Sequence, residues 1–154
     1  MALQRYLEDF TPGQRFFAGT VTVDAEAIMA FARQFDPQPF HTDPATAEAT
    51  VFKGLAASGW HTAALTMRML VESDIRFAWG IIGREVEQIG WPRPTRPGDR
   101  LRIESEVMEV RRSRTRPDMG TARLRTETFN QDDAVVQTMV AALIVPARTS
   151  MGAP

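Results

Sequence analysis

Two hydrophobic rhythms divide the chain. Up to about residue 73 the apolar residues recur mainly at helical spacing, and from Ile81 onward they alternate with polar ones. Phe16 to Val23 reads as an opening strand, with Phe17, Gly19, Val21 and Val23 on one face. Ile28, Phe31, Ala32 and Phe35 then fall on one helical stripe behind Asp24, a residue type that caps helix N-termini; Thr22 is the other candidate cap. Asp43-Pro44 marks another helix start, because proline is favoured at the first helical position, and a short helix should run to about Thr50. A connector containing Gly54 follows.

The longest helix is predicted from Ser58-Gly59-Trp60-His61 to about Ser73. Trp60, Ala63, Ala64, Leu65, Met67, Met69, Leu70 and Val71 occupy nearly every side of it, so it is expected to be buried all round. The second half should wrap it. Arg84 to Trp91 is a strand stopped by Pro92-Arg93-Pro94. Leu101, Ile103, Ser105 and Val107 alternate with charged residues until the pattern slips at Val107-Met108, the signature of a bulge. Thr121 to Phe129 and Val135 to Val145 complete the set, joined through Asn130-Gln131-Asp132-Asp133, and Arg111 to Gly120 is a polar loop. Long strands in hairpin succession predict an antiparallel sheet.

Composition narrows the chemistry. The length, 154 residues, suits one domain over residues 1–154, with 1–11 as a lead-in and 147–154 as a disordered tail. The net charge of -1 gives no reason to expect nucleic acid as a partner. No cysteine is present, which removes disulfides and thiolate catalysis, and two histidines are too few for a histidine-rich metal cluster, so no metal is expected. Charges sit where a signal peptide needs an apolar run, and no stretch is long enough to span a membrane. A soluble cytoplasmic protein without membrane attachment is the expectation.

The chemistry concentrates in Phe35-Asp36-Pro37-Gln38-Pro39-Phe40-His41. Two prolines fix their own φ and bias the preceding residues away from the helical region, so the segment should be a stiff, extended turn and not helix. Such a turn can mount a carboxylate and an imidazole on one small molecule, such as a water. Asp36 lies where the preceding helix must end, facing the negative end of its dipole, which predicts a raised carboxyl pKa.

The residues carry a family resemblance. Phe35-Asp36-Pro37-Gln38-Pro39-Phe40-His41-Thr42-Asp43-Pro44, Ala57-Ser58-Gly59-Trp60-His61, Pro94-Thr95-Arg96-Pro97-Gly98-Asp99 and Phe129-Asn130-Gln131 together resemble the MaoC-like dehydratases, which include the (R)-specific enoyl-CoA hydratases. The resemblance spans about residues 12 to 145 and implies an α+β hot-dog domain, an antiparallel sheet wrapped around a long central helix. It implies hydration of trans-2-enoyl thioesters, or dehydration of (R)-3-hydroxyacyl thioesters, with no cofactor beyond the coenzyme A or phosphopantetheine that carries the acyl group.

By the same resemblance Asp36 and His41 hold one water, His41 mainly as base and Asp36 supplying the proton. Gly59 offers its backbone N–H to the thioester oxygen, where a missing Cβ lets substrate approach. Gln38 stands where the family commonly has asparagine, and Met67 where some members carry a serine. Trp60 and Met67 are candidates to line an acyl pocket, and Arg93 and Arg96 to meet coenzyme A phosphates; His61 reads as structural or as support for the site. Arg111, Arg112, Arg114 and Arg116 form a basic loop, solvated by default. A homodimer is implied, or a dimer of dimers, with substrate along the subunit boundary. The competing readings are a hot-dog thioesterase and a non-catalytic acyl-CoA-binding subunit.

Overall fold

The computed structural model describes residues 3–148. After a short 3-10 turn at Leu7–Asp9, nine elements follow in order: β1 (Arg15–Thr22), α1 (Ala25–Phe35), α2 (Pro39–Thr42), α3 (Pro44–Glu48), α4 (Gly59–Glu72), β2 (Ile82–Gly90), β3 (Arg100–Arg112), β4 (Met119–Phe129) and β5 (Val135–Pro146). The strands make one five-stranded sheet in the order β1-β3-β4-β5-β2, antiparallel at every pairing. The inner face of the sheet packs on α4 to give the hot-dog architecture. Ile28 of α1, Met69 and Leu70 of α4, and Leu101, Val107 and Val145 of the sheet form its core.

Alternation builds the sheet as read. Leu101, Ile103, Ser105 and Val107 are buried while their neighbours are not, and the register shifts between Val107 and Glu109, where the pattern slips. In β1, however, Phe16 and Ala18 pack inward and Phe17 is exposed. The register shifts between Gly19 and Val21, and this shift reverses the parity so that Val21 and Val23 return to the core side. Only glycine fits at the shift, because a Cβ on Gly19 would lie 2.8 Å from the Arg102 side chain. One face for all four residues is thus corrected by a single bulge.

Two further expectations change. Residues 147–148 are tied down: Ala147 is buried with its N–H on Asp118, and Arg148 pairs with Asp9 at 2.6 Å. Residues 149–154 of the expected tail lie outside the described residues, as do residues 1 and 2 of the lead-in. The rest of the lead-in is part of the core, through Leu7 and Phe10.

Helix α4 is not wrapped all round. Thr62, Thr66, Met69 and Leu70 are buried under the sheet, whereas Trp60, Met67 and Val71 are 59%, 41% and 57% exposed. Five strands cover one side of a helix and leave the other. The bare stripe adjoins β2, an edge strand whose residues 82–88 are all exposed. Among the described residues no helix is long and apolar enough to cross a membrane.

Candidate active site

Helix α1 begins where Asp24 accepts the Glu26 N–H at 3.3 Å, so Asp24 and not Thr22 is the cap. It ends at Asp36, whose N–H still bonds Ala32 O at 2.8 Å before Pro37 stops the helix. The expectation of a wholly extended turn fails beyond this point. Pro39 opens α2, a single helical turn that carries His41. The prolines exclude helix only at the residues before them, and Gln38 is extended as required, while Pro39 itself suits a first helical position. That turn swings the imidazole back toward the carboxylate.

His41 is buried, and its Nδ1 lies 2.6 Å from the Ala56 carbonyl. A carbonyl only accepts, so Nδ1 carries the proton. The other ring nitrogen, Nε2, faces Asp36 Oδ2 at 3.4 Å, presenting a lone pair in the neutral ring and a donor in the protonated one. A lone pair facing a carboxylate oxygen calls for a bridging donor, such as a water.

The carboxylate is itself clamped. Gln38 Nε2 donates to Oδ1 at 2.6 Å and Ser58 Oγ donates to Oδ2 at 2.7 Å. Burial alone would raise the Asp36 pKa and is the largest single influence. The two hydrogen bonds and the nearby His41 outweigh it, so the group is held below the ordinary aspartate value. The raised pKa expected from the helix dipole is overturned. Donors directly on the carboxylate are stronger than a dipole felt from the helix end.

Ser58 also caps α4, accepting the Trp60 N–H at 3.3 Å. One buried hydroxyl thus joins the carboxylate to the first turn of the central helix. There the Gly59 N–H has no hydrogen-bond partner among the described residues, as expected of a first helical turn. Gly59, His41, Phe52, Thr62 and Trp91 line one cleft of about 320 Å³. Gly59 has a second reason to lack a side chain: a Cβ there would come within 2.6 Å of the Trp91 indole.

The remaining candidates disperse. Arg93 lines the same cleft, with a long contact of 3.4 Å to the Val135 carbonyl. Arg96 turns inward, donating to the carbonyls of Gly54 at 3.0 Å, Leu55 at 3.3 Å and Phe52, which braces the loop over the site and leaves the guanidinium committed. Trp60 is exposed, its ring edge-on to Trp91 at 5.3 Å. Met67 lies away from the cleft, on an apolar cavity of about 230 Å³ between α4 and the sheet with Leu70, Phe77, Val86 and Leu124. His61 is buried and stacked on Phe31 at 4.8 Å, its Nδ1 without a hydrogen-bond partner among the described residues and its pKa lowered by burial. Of the arginines expected in a basic loop, Arg111 and Arg112 instead end β3, and Arg111, Arg112 and Arg116 pair with Glu109, Glu8 and Asp118. No group of three or more metal-ligating side chains converges among the described residues.

Three residues escaped the sequence reading. Ser58 was legible as the start of a helix but not as the partner of Asp36, twenty-two positions away. Trp91 looked like the end of a strand. Gln137, fully buried, was the one amide in an apolar strand at an inward position, a signal that was present.

A profile of the family described as "MaoC like domain" matches residues 9–128. The uncharacterized protein YdeM of Bacillus subtilis is 32% identical over 130 residues, covering 84% of this chain and 91% of its own. The MaoC-like dehydratase of Rhodospirillum rubrum superposes with a TM-score of 0.90 at 48% identity, covering 94% of this chain and 99% of its own. The (R)-hydratase of A. caviae involved in PHA biosynthesis has a TM-score of 0.72 at 26% identity, over 90% and 99% of the two chains.

Proposed function

Since the chain belongs to the MaoC-like domain family, we propose that it adds water to trans-2-enoyl thioesters, or removes it from (R)-3-hydroxyacyl thioesters, at the Asp36–His41 pair. The facing of Nε2 and Oδ2, with His41 lining a cleft that also holds a free helix-terminal N–H, carries this reading. The acyl group is carried by coenzyme A or phosphopantetheine.

The groups balance one turnover. A water donates one hydrogen toward His41 Nε2 and the other toward Asp36 Oδ2. As its oxygen bonds C3, Nε2 takes a proton. Negative charge moves to the thioester oxygen, where the Gly59 N–H and the positive end of α4 stabilise it. The proton crosses the 3.4 Å gap to Oδ2 and passes to C2, so the pair ends as it began. A carboxyl held below the ordinary range is a strong acid once protonated, which favours that last transfer.

The exposed β2 edge and the apolar stripe of α4 support a homodimer formed by pairing β2 strands, since long bare edges are rarely left unpaired. A cytoplasmic location fits a chain without a membrane-spanning helix among the described residues.

The test follows enoyl absorbance when purified protein meets crotonyl, longer, branched and dicarboxylic trans-2-enoyl-CoAs. Loss that requires Asp36 and releases no free thiol supports the reading. Thiol release would identify a thioesterase, and no reaction with any coenzyme A or carrier-bound enoyl group would leave a binding subunit.

A further inference from the structure

In the first turn of α4 the His61 and Thr62 N–H groups bond the Ser58 carbonyl and the Trp60 N–H bonds the Ser58 hydroxyl, whereas the Gly59 N–H has no acceptor among the described residues. Ser58 restrains it from the end. A second restraint comes from the side, where the Trp91 indole, just beyond β2, lies flat against Gly59. Three of its carbons would stand 2.6, 2.7 and 2.8 Å from a Cβ at position 59, so the ring occupies the place of a side chain there.

The ring is itself anchored. Trp91 Nε1 donates to Gln137 Oε1 at 3.0 Å, and Gln137 Nε2 donates to Thr66 Oγ1 at 3.3 Å. Thr66 in turn shares a 2.7 Å bond with Thr128 Oγ1. Gln137, Thr66 and Thr128 are all fully buried. Burying an amide and two hydroxyls is costly unless they are bonded, and apolar side chains would fill the space under α4 without that demand. What the network adds is direction: it runs from β4 through α4 and β5 and ends on the indole that touches Gly59. Thr62 Oγ1 on Thr95 Oγ1, at 2.9 Å, ties the next part of the helix to the loop beyond Trp91.

We propose that Trp91 is the positioning residue for the thioester-oxygen donor, its Gln137-anchored indole holding the first turn of α4 so that the Gly59 N–H points into the cleft beside His41. This rests on the reading of Gly59 as that donor. A hydrogen bond to developing charge weakens steeply when its angle opens, so the rate of the chemical step registers a loosened turn more than substrate binding does.

Three variants separate the parts. Trp91→Leu removes the flat face. Trp91→Phe keeps a ring on Gly59 and deletes the N–H. Gln137→Leu removes the anchor and keeps the indole. On the best enoyl-CoA, Trp91→Leu should lower kcat by about 10- to 100-fold, somewhat less than outright removal of an oxyanion donor, with KM within about threefold. Trp91→Phe should recover much of that loss, and Gln137→Leu should fall between them. A loss confined to KM, or none, would overturn the proposal and leave Trp91 as a cleft wall. The second readout needs no substrate: the Gly59 amide resonance in 15N-labelled protein should move, and its hydrogen exchange quicken, in Trp91→Leu relative to Trp91→Phe. If the wild type hydrates no enoyl thioester, the functional reading fails, and the Gly59 exchange still decides the clamp. Equal exchange in both variants would overturn it.

Discussion

The Ser58 hydroxyl donates to Asp36 Oδ2 at 2.7 Å, the same oxygen that faces His41 Nε2 at 3.4 Å. The carboxylate proposed for acid–base chemistry and the helix that carries the proposed oxyanion donor are therefore positioned by one side chain.

Ser58→Ala removes one of the two hydrogen bonds that keep the Asp36 pKa low, so that pKa should rise. The acid limb of the pH–rate profile should move to higher pH, read as log kcat/KM against pH. Loss of the cap should cost about 1 kcal/mol in urea unfolding. An unmoved acid limb would show that Ser58 serves only the helix.

Asp36→Asn should lower hydration by about 10²- to 10⁴-fold with little change in melting temperature, since the side chain is part-exposed and the amide keeps its shape. His41→Ala should lose activity to a similar degree and stability as well. It strips the Ala56 carbonyl of its buried partner, a loss of about 1–3 kcal/mol. Calorimetry beside the activity assay distinguishes the two.

His61 makes the fold acid-sensitive. Burial lowers its pKa in the folded state, so the unfolded chain binds its proton first as pH falls. The resulting loss of stability should begin near the ordinary imidazole pKa, about 6.5, and stop growing below the lowered folded value. His61→Phe should flatten the unfolding free energy across that window. An unchanged slope between pH 7.5 and 5.5 would place the sensitivity elsewhere.

Arg96→Gln frees three carbonyls over the site. It should cost about 2 kcal/mol or more, roughly 4–8 °C in melting temperature, with the affinity for coenzyme A unchanged. A weaker coenzyme A affinity at full stability would restore Arg96 to the phosphate role.

Val86→Lys places a charge on the exposed edge strand. If β2 pairs with its counterpart in a second copy, light scattering should show a dimer for the wild type and a monomer for the variant. Equal masses would place the interface elsewhere.

Local patterns were enough for the order of the strands and of α1, α3 and α4, the antiparallel sheet, the helix start at Asp43-Pro44 and the bulge after Val107, but they left Asp24 and Thr22 both open as a cap and missed α2. Each depends on residues within a few positions of one another, and the period of burial or the φ of a proline acts at that range. The Asp36–His41 spacing belongs to the same class, since two prolines constrain the chain between them. What only the tertiary structure decided lies between residues distant in sequence: Ser58 on Asp36 across 22 positions, Arg96 on the Phe52 carbonyl across 44, and Trp91 on Gln137 across 46. The sign of the Asp36 pKa shift went with them. A dipole at a helix end can be read from one element, but donors on a carboxylate come from whatever the fold brings to it.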